Sequence, residues 1–569
     1  MPRRSPILSL YLRHGSPGFL FLAIGFAVVT FFPQLSYGQK DWEKDGGIPS
    51  AEIEIIKDRQ ITLPPADRNF EKIPPRPMEP IKPEIVYEFR NLKFNTPDFN
   101  PVLRPLKLKQ EDISKIYGNF VGLSYGNFNS PYLEAYFNSK RDKNKFYGAH
   151  FYHHSYANGP VDNNNSANGT TEINLFGKSI TNSVVASGNL NYENRTTFFY
   201  GYPPGSDPKR ESIRQRYDIF SLGAGIENSK PADFNYALQG SYSYLSDHYR
   251  ATESEFGLAL NSTYQFSDKA KFILKSDYFF IDRKDSIAGL RPRHLFRIKP
   301  AYQFTPLDKL WLTLGANFAV ENEAIGNQKS FHVYPNLRAD YSLSESVIAY
   351  AGLTGDIDKV SLQTLSRENL WVNSNISIAH TNRAAEFLSG LKGNLGRKVA
   401  FAVGVSLSTL KNLYFFKNDS LHRAKFDVVY DVGNTQRENL FAELGYHHGE
   451  TLKMVLRGDY FHYSTDKQPT AFHRPTYRVT FNSSYSLYSK LLFSVDFVAQ
   501  GGMKAYDFET SKNIALNPAL DLNAKVDYFF SKKVSAFLKF NNMLSSNYQL
   551  YLNYPVRGFQ VMGGVSWSF

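Results

Sequence analysis

The sequence predicts an all-β protein, and within that class an antiparallel transmembrane β-barrel of about 22 strands, with a range of roughly 18 to 24. Two observations lead to this prediction. Most of the chain alternates apolar and polar side chains, which is the period-two pattern of β-strands. Aromatic residues reach 15% of the 569 residues, against 21% for charged residues. A helical membrane bundle is excluded, because only one apolar run, near the N-terminus, approaches the ~20 residues that a spanning helix needs.

Residues 1–38 are predicted to form a secretory signal peptide. Three arginines precede an apolar stretch from Phe19 to Phe32, and Ser36-Tyr37-Gly38 then places small residues around a cleavage site. A basic region, an apolar region and a small-x-small site are the three parts of such a peptide. The alternative is an uncleaved membrane anchor, for which the apolar run is short. In either case we expect the rest of the chain to leave the cytoplasm.

Residues 39–117 are predicted to be a proline-rich periplasmic arm. Pro64, Pro65, Pro74 and Pro75 begin a dense group of prolines in this part of the chain. Proline lacks an N–H and fixes φ, so an extended polyproline-II or irregular conformation is expected. The arm has three possible roles: a tether, a ligand for a periplasmic or surface protein partner, or a segment that folds into a pore.

Residues 118–569 are predicted to form the barrel. Segments of about ten residues alternate in polarity and are separated by clusters of Gly, Asn, Asp, Ser and Lys, as in outer-membrane barrels. Short connections such as Ser267-Asp268-Lys269 occur beside long ones such as Ser464 to Ala471 and Met503 to Asn517. A soluble sandwich also alternates, but this asymmetry of loop length favours a membrane barrel, whose periplasmic turns are short and whose outer loops are long.

Charged residues on the polar faces of these segments are predicted to face the lumen of the barrel. The candidates are Lys271, Lys275, Asp277, Arg457, Asp459, Arg478, Asp496 and Lys539. Together they would give the lumen a mixed field with a small positive bias, and an anion preference is one hypothesis. The alternative is that the charges pair with one another and satisfy a wet interior.

The final strand is predicted to carry a signal for insertion into the membrane. Val565, Trp567 and Phe569 share one face of this strand, and the sequence ends on the aromatic Phe569. A terminal aromatic strand is what the barrel assembly machinery of the outer membrane recognises. We therefore expect this machinery and the outer-membrane lipid to be partners of the chain.

The C-terminal part resembles the last hairpin of the TonB-dependent outer-membrane receptor family. The resemblance is carried by Phe540-Asn541-Asn542-Met543, Tyr554-Pro555, Arg557-Gly558 and the terminal Phe569. It implies an outer-membrane barrel of a gram-negative cell that binds or transports a solute. It covers the barrel only, because residues 39–117 contain no recognisable plug domain or TonB box.

Catalytic and cofactor motifs do not support an enzyme. Gly122-Leu123-Ser124-Tyr125-Gly126 matches the nucleophile-elbow pattern but lies in the first alternating segment, where a strand-to-helix turn is not expected. No cysteine is present, which excludes disulfides and thiolate ligands. His150, His153 and His154 lack a carboxylate at metal-ligand spacing, so no metal or cofactor is predicted.

Two functions remain open at this point, and neither involves nucleic acid. The net charge is +12, but Lys and Arg are scattered and form no basic stripe. The first function is solute binding or transport across the outer membrane. The second is that of a plugless scaffold or accessory subunit of an outer-membrane assembly or secretion complex, docked through residues 39–117.

Overall fold

The computed structural model describes residues 117–140, 142–287, 290–326 and 329–569. The predicted signal peptide, and the predicted arm apart from Tyr117, lie outside these residues. Within the described part no helix is long and apolar enough to cross a membrane.

Strands dominate the described chain. The first eight are β1 (Phe120–Gly126), β2 (Ser130–Asn138), β3 (Lys145–Tyr156), β4 (Asn168–Ile180), β5 (Val184–Phe198), β6 (Arg214–Asn228), β7 (Phe234–Asp247) and β8 (Thr252–Ser267). The next eight are β9 (Ala270–Lys284), β10 (Arg293–Leu307), β11 (Leu310–Glu321), β12 (Phe331–Ser344), β13 (Val347–Asp358), β14 (Thr381–Leu395), β15 (Val399–Asn418) and β16 (Phe426–His448). The last eight are β17 (Leu452–Ser464), β18 (Tyr477–Leu487), β19 (Leu491–Gly501), β20 (Lys504–Asp507), β21 (Lys512–Ala515), β22 (Ala519–Phe529), β23 (Val534–Asn541) and β24 (Gln560–Ser568).

Among the described residues, helical structure is confined to the connections. An α-helix, α1, covers Leu362–Glu368, and two single 3₁₀ turns cover Asn163–Ser166 and Arg210–Ile213. The strands β20 and β21 pair with each other and form a separate small hairpin between β19 and β22.

The other 22 strands form one closed antiparallel sheet. Each strand pairs with the next along the chain, β19 pairs with β22, and β24 pairs with β1. At this seam the Asn119 N–H donates to the Phe569 carbonyl at 3.2 Å, and the Phe569 N–H donates to the Asn119 carbonyl at 3.0 Å. The predicted antiparallel barrel of about 22 strands is therefore confirmed, and β1 begins at Phe120.

The outer face of the sheet is apolar and exposed. Register pairs Leu123 of β1 with Leu133 of β2 and with Val565 of β24, so these three side chains share a face. Leu123 and Val565 are 50% and 55% exposed. An apolar surface that runs around a closed sheet is what contact with lipid requires, whereas a soluble protein rarely exposes such a surface. The barrel is thus an outer-membrane barrel.

The two ends of the barrel differ. Most connections of two or three residues, such as 181–183 and 308–309, lie at the end where Asn119 and Phe569 meet, which we call the turn end. Connections of up to 22 residues, such as 359–380, lie at the opposite end, which we call the loop end. Because outer-membrane barrels keep their short turns in the periplasm, the loop end faces the cell exterior.

Candidate functional site

The connection between β13 and β14 folds into the lumen instead of extending into solvent. We call residues 359–380 the cap loop. Leu362, Leu365 and Val372 in it are each 0% exposed. Ser361 precedes α1 as its N-cap, and its side chain accepts the Thr364 N–H at 3.3 Å, which satisfies one free donor of the helix. The i, i+3 spacing of Leu362 and Leu365 then puts both leucines on one buried face.

One wall of the barrel holds the cap loop through buried charged side chains. The Glu253 carboxylate, on β8, accepts the backbone N–H groups of Leu362 at 2.8 Å and Gln363 at 3.0 Å. Arg293, on β10, donates to the Val360 carbonyl at 3.0 Å. Hydrogen bonds of this kind satisfy the backbone of a buried loop, which would otherwise destabilise the fold.

Two further sides of the barrel also bind the cap loop. Arg195, on β5, donates to the Ser366 carbonyl at 2.9 Å. Phe426, the first residue of β16, donates its N–H to the Trp371 carbonyl at 3.0 Å and accepts the Asn373 N–H at 2.7 Å. In the ring of 22 strands β5 and β16 lie half-way round from each other. The cap loop therefore crosses the lumen from one side to the other.

A neutral histidine completes the attachment near the end of the cap loop. His380 is fully buried, and Arg293 Nη2 donates to its Nδ1 at 2.7 Å, as does the Val360 N–H at 3.0 Å. Burial, followed by the neighbouring Arg293 charge, holds the pKa of His380 well below its usual range. His380 Nε2 lies 3.3 Å from Glu323, whose pKa is raised by burial.

A second loop packs on the cap loop through aromatic rings. We call residues 542–559, which join β23 and β24, the terminal loop. Its Tyr554 stacks on Trp371 with ring centroids 4.0 Å apart and lies 4.7 Å from Tyr200. Burial raises the pKa of Tyr554 far above its usual range, so its hydroxyl stays protonated and donates to the Ala424 carbonyl. Tyr551 donates to the Glu368 carbonyl at 2.9 Å.

His473 joins a third loop to this core. Its ring lies beneath the terminal loop, with Nδ1 2.8 Å from the Phe416 carbonyl, and Nε2 accepts the Leu552 N–H at 3.3 Å. Because Nε2 accepts a hydrogen bond and Nδ1 faces a carbonyl oxygen, the ring is the neutral tautomer that carries its proton on Nδ1. Burial lowers the pKa of His473 to about 4. A protonated ring would have no acceptor for its second proton.

Two cavities lie on either side of this aromatic core. The outer cavity, of about 600 Å³, is lined by loop residues that include Tyr202, Arg423, Tyr506 and Glu509. The inner chamber, of about 280 Å³, lies between the cap loop, the terminal loop and the outer ends of β3–β5 and β22–β24. Tyr200 lines both cavities.

The predicted lumen residues of β9 lie on the strand face that is buried at the loop end. Lys271, Lys275 and Asp277 alternate in step with Ile281 and Arg283, which are 1% and 7% exposed. Asp277 also accepts from Arg297 Nε at 2.6 Å. Their role in contact with a solute stays a prediction.

The remaining predicted lumen residues lie on later strands, and the register of these strands gives their cross-strand neighbours. Arg457 donates to both carboxylate oxygens of Asp459 at 2.8 and 2.9 Å, and Asp459 lies directly opposite Arg478. On the neighbouring strands, Asp496 lies opposite Asn482 and Asn523, and Lys539 lies opposite Lys525. Several of these charges are therefore paired, as the wet-interior alternative expects, and the anion preference stays a hypothesis.

The predicted insertion residues lie on the outer face. Trp567 is 50% exposed, and its ring stacks on that of Phe569 with centroids 4.2 Å apart. Val565 shares this face through its pairing with Leu123. Recognition of these residues by the assembly machinery stays a prediction.

Sequence reasoning did not identify the cap loop or its anchors. Glu253, Arg195 and Arg293 sit on inner strand faces, where their alternation resembles that of any lumen charge. One signal was available, because Leu370-Trp371-Val372 is a large apolar run inside a long connection. Such a run needs a surface to cover it.

Comparisons with known proteins rest on structure. No family model matches the sequence, and no curated protein matches it. The barrel is similar to the siderophore receptor PirA from Acinetobacter baumannii, with a TM-score of 0.62, 10% identity and 81% of each chain covered. It is also similar to the siderophore receptor PiuA from the same organism (TM-score 0.59, 12% identity, 80% of this chain and 82% of that chain).

A third similar structure is the pyoverdine outer-membrane receptor FpvA of Pseudomonas aeruginosa, with a TM-score of 0.60, 12% identity, and coverage of 81% of this chain and 79% of that chain. At these identities the likeness concerns the fold. The fold defines the class, that of 22-stranded outer-membrane β-barrels. Within that class the chain resembles the barrel portion of TonB-dependent receptors, as the terminal hairpin predicted.

Proposed function

We propose that this protein binds a solute at the outer end of its lumen and passes it across the outer membrane, with the cap loop as the closure. The observation that supports the proposal is the cap loop itself, which crosses the lumen between β5 and β16. A 22-stranded barrel is too wide for its own side chains to fill, so a loop that fills the outer end decides whether solutes pass.

The two cavities would form the outer part of the path that a solute takes through the barrel. A solute would first meet the outer cavity, where the aromatic rings of Tyr202 and Tyr506 lie beside the ion pair of Arg423 and Glu509, 3.1 Å apart. Displacement of Tyr200 would then join the outer cavity to the inner chamber. Below the chamber the polar inner wall continues to the turn end. The proposal requires no catalytic step.

The test is the conductance of the purified full chain in planar bilayers. The Val360 N–H lies 3.0 Å from His380 Nδ1, so the ends of the cap loop are neighbours and Gly-Gly can replace residues 361–379. We expect low conductance for the wild type and at least a tenfold increase for this variant. A Gly-Gly replacement of residues 531–533 at the turn end is the control and should conduct like the wild type.

Two results would contradict the proposal. One is a wild-type conductance as large as that of the variant without the cap loop. The other is a folded variant that stays closed. In the open variant, the reversal potential in a KCl gradient also tests the predicted anion preference, which a cation-selective current would reject.

The scaffold function is supported by a different observation. The cap loop is attached on several sides by buried hydrogen bonds, from Glu253, Arg293, Arg195 and Phe426, and this suits a barrel that stays closed. In that case residues 39–117 would dock a partner. A stoichiometric partner that copurifies with the full chain and is lost when residues 39–117 are deleted would support the scaffold over transport.

A further inference from the structure

The inner chamber has two buried acceptors without hydrogen-bond partners. Among the described residues, neither Asn168 Oδ1 nor Asp521 Oδ1 has a partner, although both atoms are shielded from solvent and both residues line the chamber. The other oxygen of Asp521 accepts from the Tyr548 hydroxyl at 3.1 Å, which fixes the carboxylate in place. Buried acceptors without donors are costly, and a small rotation of these two side chains toward the chamber would let a bound molecule with O–H or N–H groups donate to both.

The charge of the chamber is balanced. Arg557 lines it, and its guanidinium donates to the Asn158 carbonyl at 3.0 Å and the Ser166 carbonyl at 2.8 Å. In the described part of the chain Arg557 forms no ion pair. The positive charge of Arg557 and the negative charge of Asp521 therefore face the same space. An anion would be repelled by Asp521 and a cation by Arg557, which favours a ligand without net charge.

Aromatic rings supply the rest of the chamber wall. Tyr156, Tyr200 and Trp371 all line it, and the Arg557 guanidinium lies 4.4 Å from the centroid of the Tyr156 ring. Rings of this kind offer apolar faces with a polar edge, which suits a ligand with both C–H and O–H groups. The amides of Asn541 and Gln560 add paired donors and acceptors to the same wall.

We propose that the inner chamber binds a neutral polyhydroxylated ligand, a sugar of one or two rings. Its hydroxyl groups would donate to Asn168 and Asp521 and accept from Arg557, while its C–H faces would pack on the aromatic rings. A volume of about 280 Å³ is near the lower limit of ligand pockets, which fits a ligand of this size. This proposal rests on the proposed function, because it names the class of solute that the barrel would take.

The test is calorimetric titration of the purified full chain in detergent with glucose, maltose, cellobiose and trehalose, and with acetate and putrescine as charged probes. We expect saturable binding of at least one sugar and none of acetate or putrescine. Asp521→Asn and Trp371→Phe should each weaken sugar binding at least tenfold. Asp340→Asn is the matched control, because Asp340 lies on β12, outside the chamber lining, where Arg338 binds it at 2.7 Å.

Folding of each variant is checked by its heat-dependent mobility on gels, and Asn168→Leu provides a third chamber variant. The proposal is overturned if no sugar binds, if acetate or putrescine binds instead, or if sugar binding is unchanged in every folded chamber variant. These outcomes are independent of the conductance test. If the full chain binds a sugar but the variant lacking the cap loop does not conduct, transport alone is rejected. If that variant conducts but the full chain binds no sugar, the sugar proposal alone is rejected.

Discussion

The carboxylate of Glu253 binds the beginning of helix α1, where it accepts the Leu362 N–H at 2.8 Å. A wall residue of β8 thereby supplies the acceptor that the first turn of a helix needs, in addition to the side chain of Ser361. The helix is seven residues long and is stabilised by its surroundings more than by its own length. The position of the cap loop thus depends on the barrel wall.

Replacement of Glu253 should release the cap loop. In Glu253→Ala the N–H groups of Leu362 and Gln363 lose their acceptor, at a cost of about 1–3 kcal/mol. We expect a new trypsin cleavage after Arg367 and a higher conductance, measured on the folded protein. Glu227→Ala is the control, since Glu227 forms an exposed pair with Lys178 and should change neither readout. Unchanged trypsin resistance of Glu253→Ala would show that the carboxylate is not needed.

Acid should weaken the packing of the terminal loop through His473. The pKa of His473 is about 4 in the folded chain, below the ~6.5 of an unfolded chain. As pH falls below ~6.5 the unfolded chain takes up the proton first, so this stability is complete above pH ~6.5 and is lost as pH falls to about 4. The difference corresponds to roughly 3 kcal/mol.

The measurement is the urea midpoint of unfolding at pH 7.5 and pH 5.0. In His473→Asn the side-chain amide can still donate to the Phe416 carbonyl but does not titrate, so the midpoint should change less with pH than in the wild type. His422→Asn, at an exposed loop position, should keep the wild-type dependence. An equal pH dependence of all three proteins would show that His473 is not the titrating group.

Substitutions at two glycines should show the cost of backbone strain separately from the cost of steric overlap. Gly396 has φ 67° and nothing within 4 Å of an added Cβ, whereas Gly502 has φ 74° and an added Cβ would overlap Thr476 Oγ1. Gly396→Ala should therefore cost about 1 kcal/mol from the left-handed backbone alone. Gly502→Ala should cost about 2–4 kcal/mol, because overpacking is added. Urea unfolding measures both, and equal losses would contradict this account.

The exposed aromatic face of β24 should be needed for assembly. Trp567→Ala and deletion of Phe569 remove rings that lie on the lipid side, so less folded barrel should reach the outer membrane, with at least a severalfold decrease in heat-modifiable protein. Tyr488→Ala removes an aromatic ring that is 88% exposed at the turn end and should have no effect. Normal membrane levels of both β24 variants would reject the predicted insertion signal.

The barrel could be predicted from sequence because period-two alternation is local. Alternation predicted that Lys271, Lys275 and Asp277 share one strand face, and in β9 they do, on the same face as the buried Arg283. The position of the cap loop could not be predicted in this way. Its contacts join Ser366 to Arg195 and Trp371 to Phe426, and no local pattern relates residues so far apart in the chain.

The seam between β1 and β24 has a consequence for the whole surface of the barrel. While Asn119 and Phe569 are apart, both edge strands carry unpaired backbone groups, which invite pairing with other chains. Pairing of β1 with β24 closes the longest loop in the sheet, and the entropic cost of closing a loop rises with its length. A slip of one residue there would turn Val565 inward. Correct registration of this single pair of strands therefore decides whether the apolar exterior is continuous.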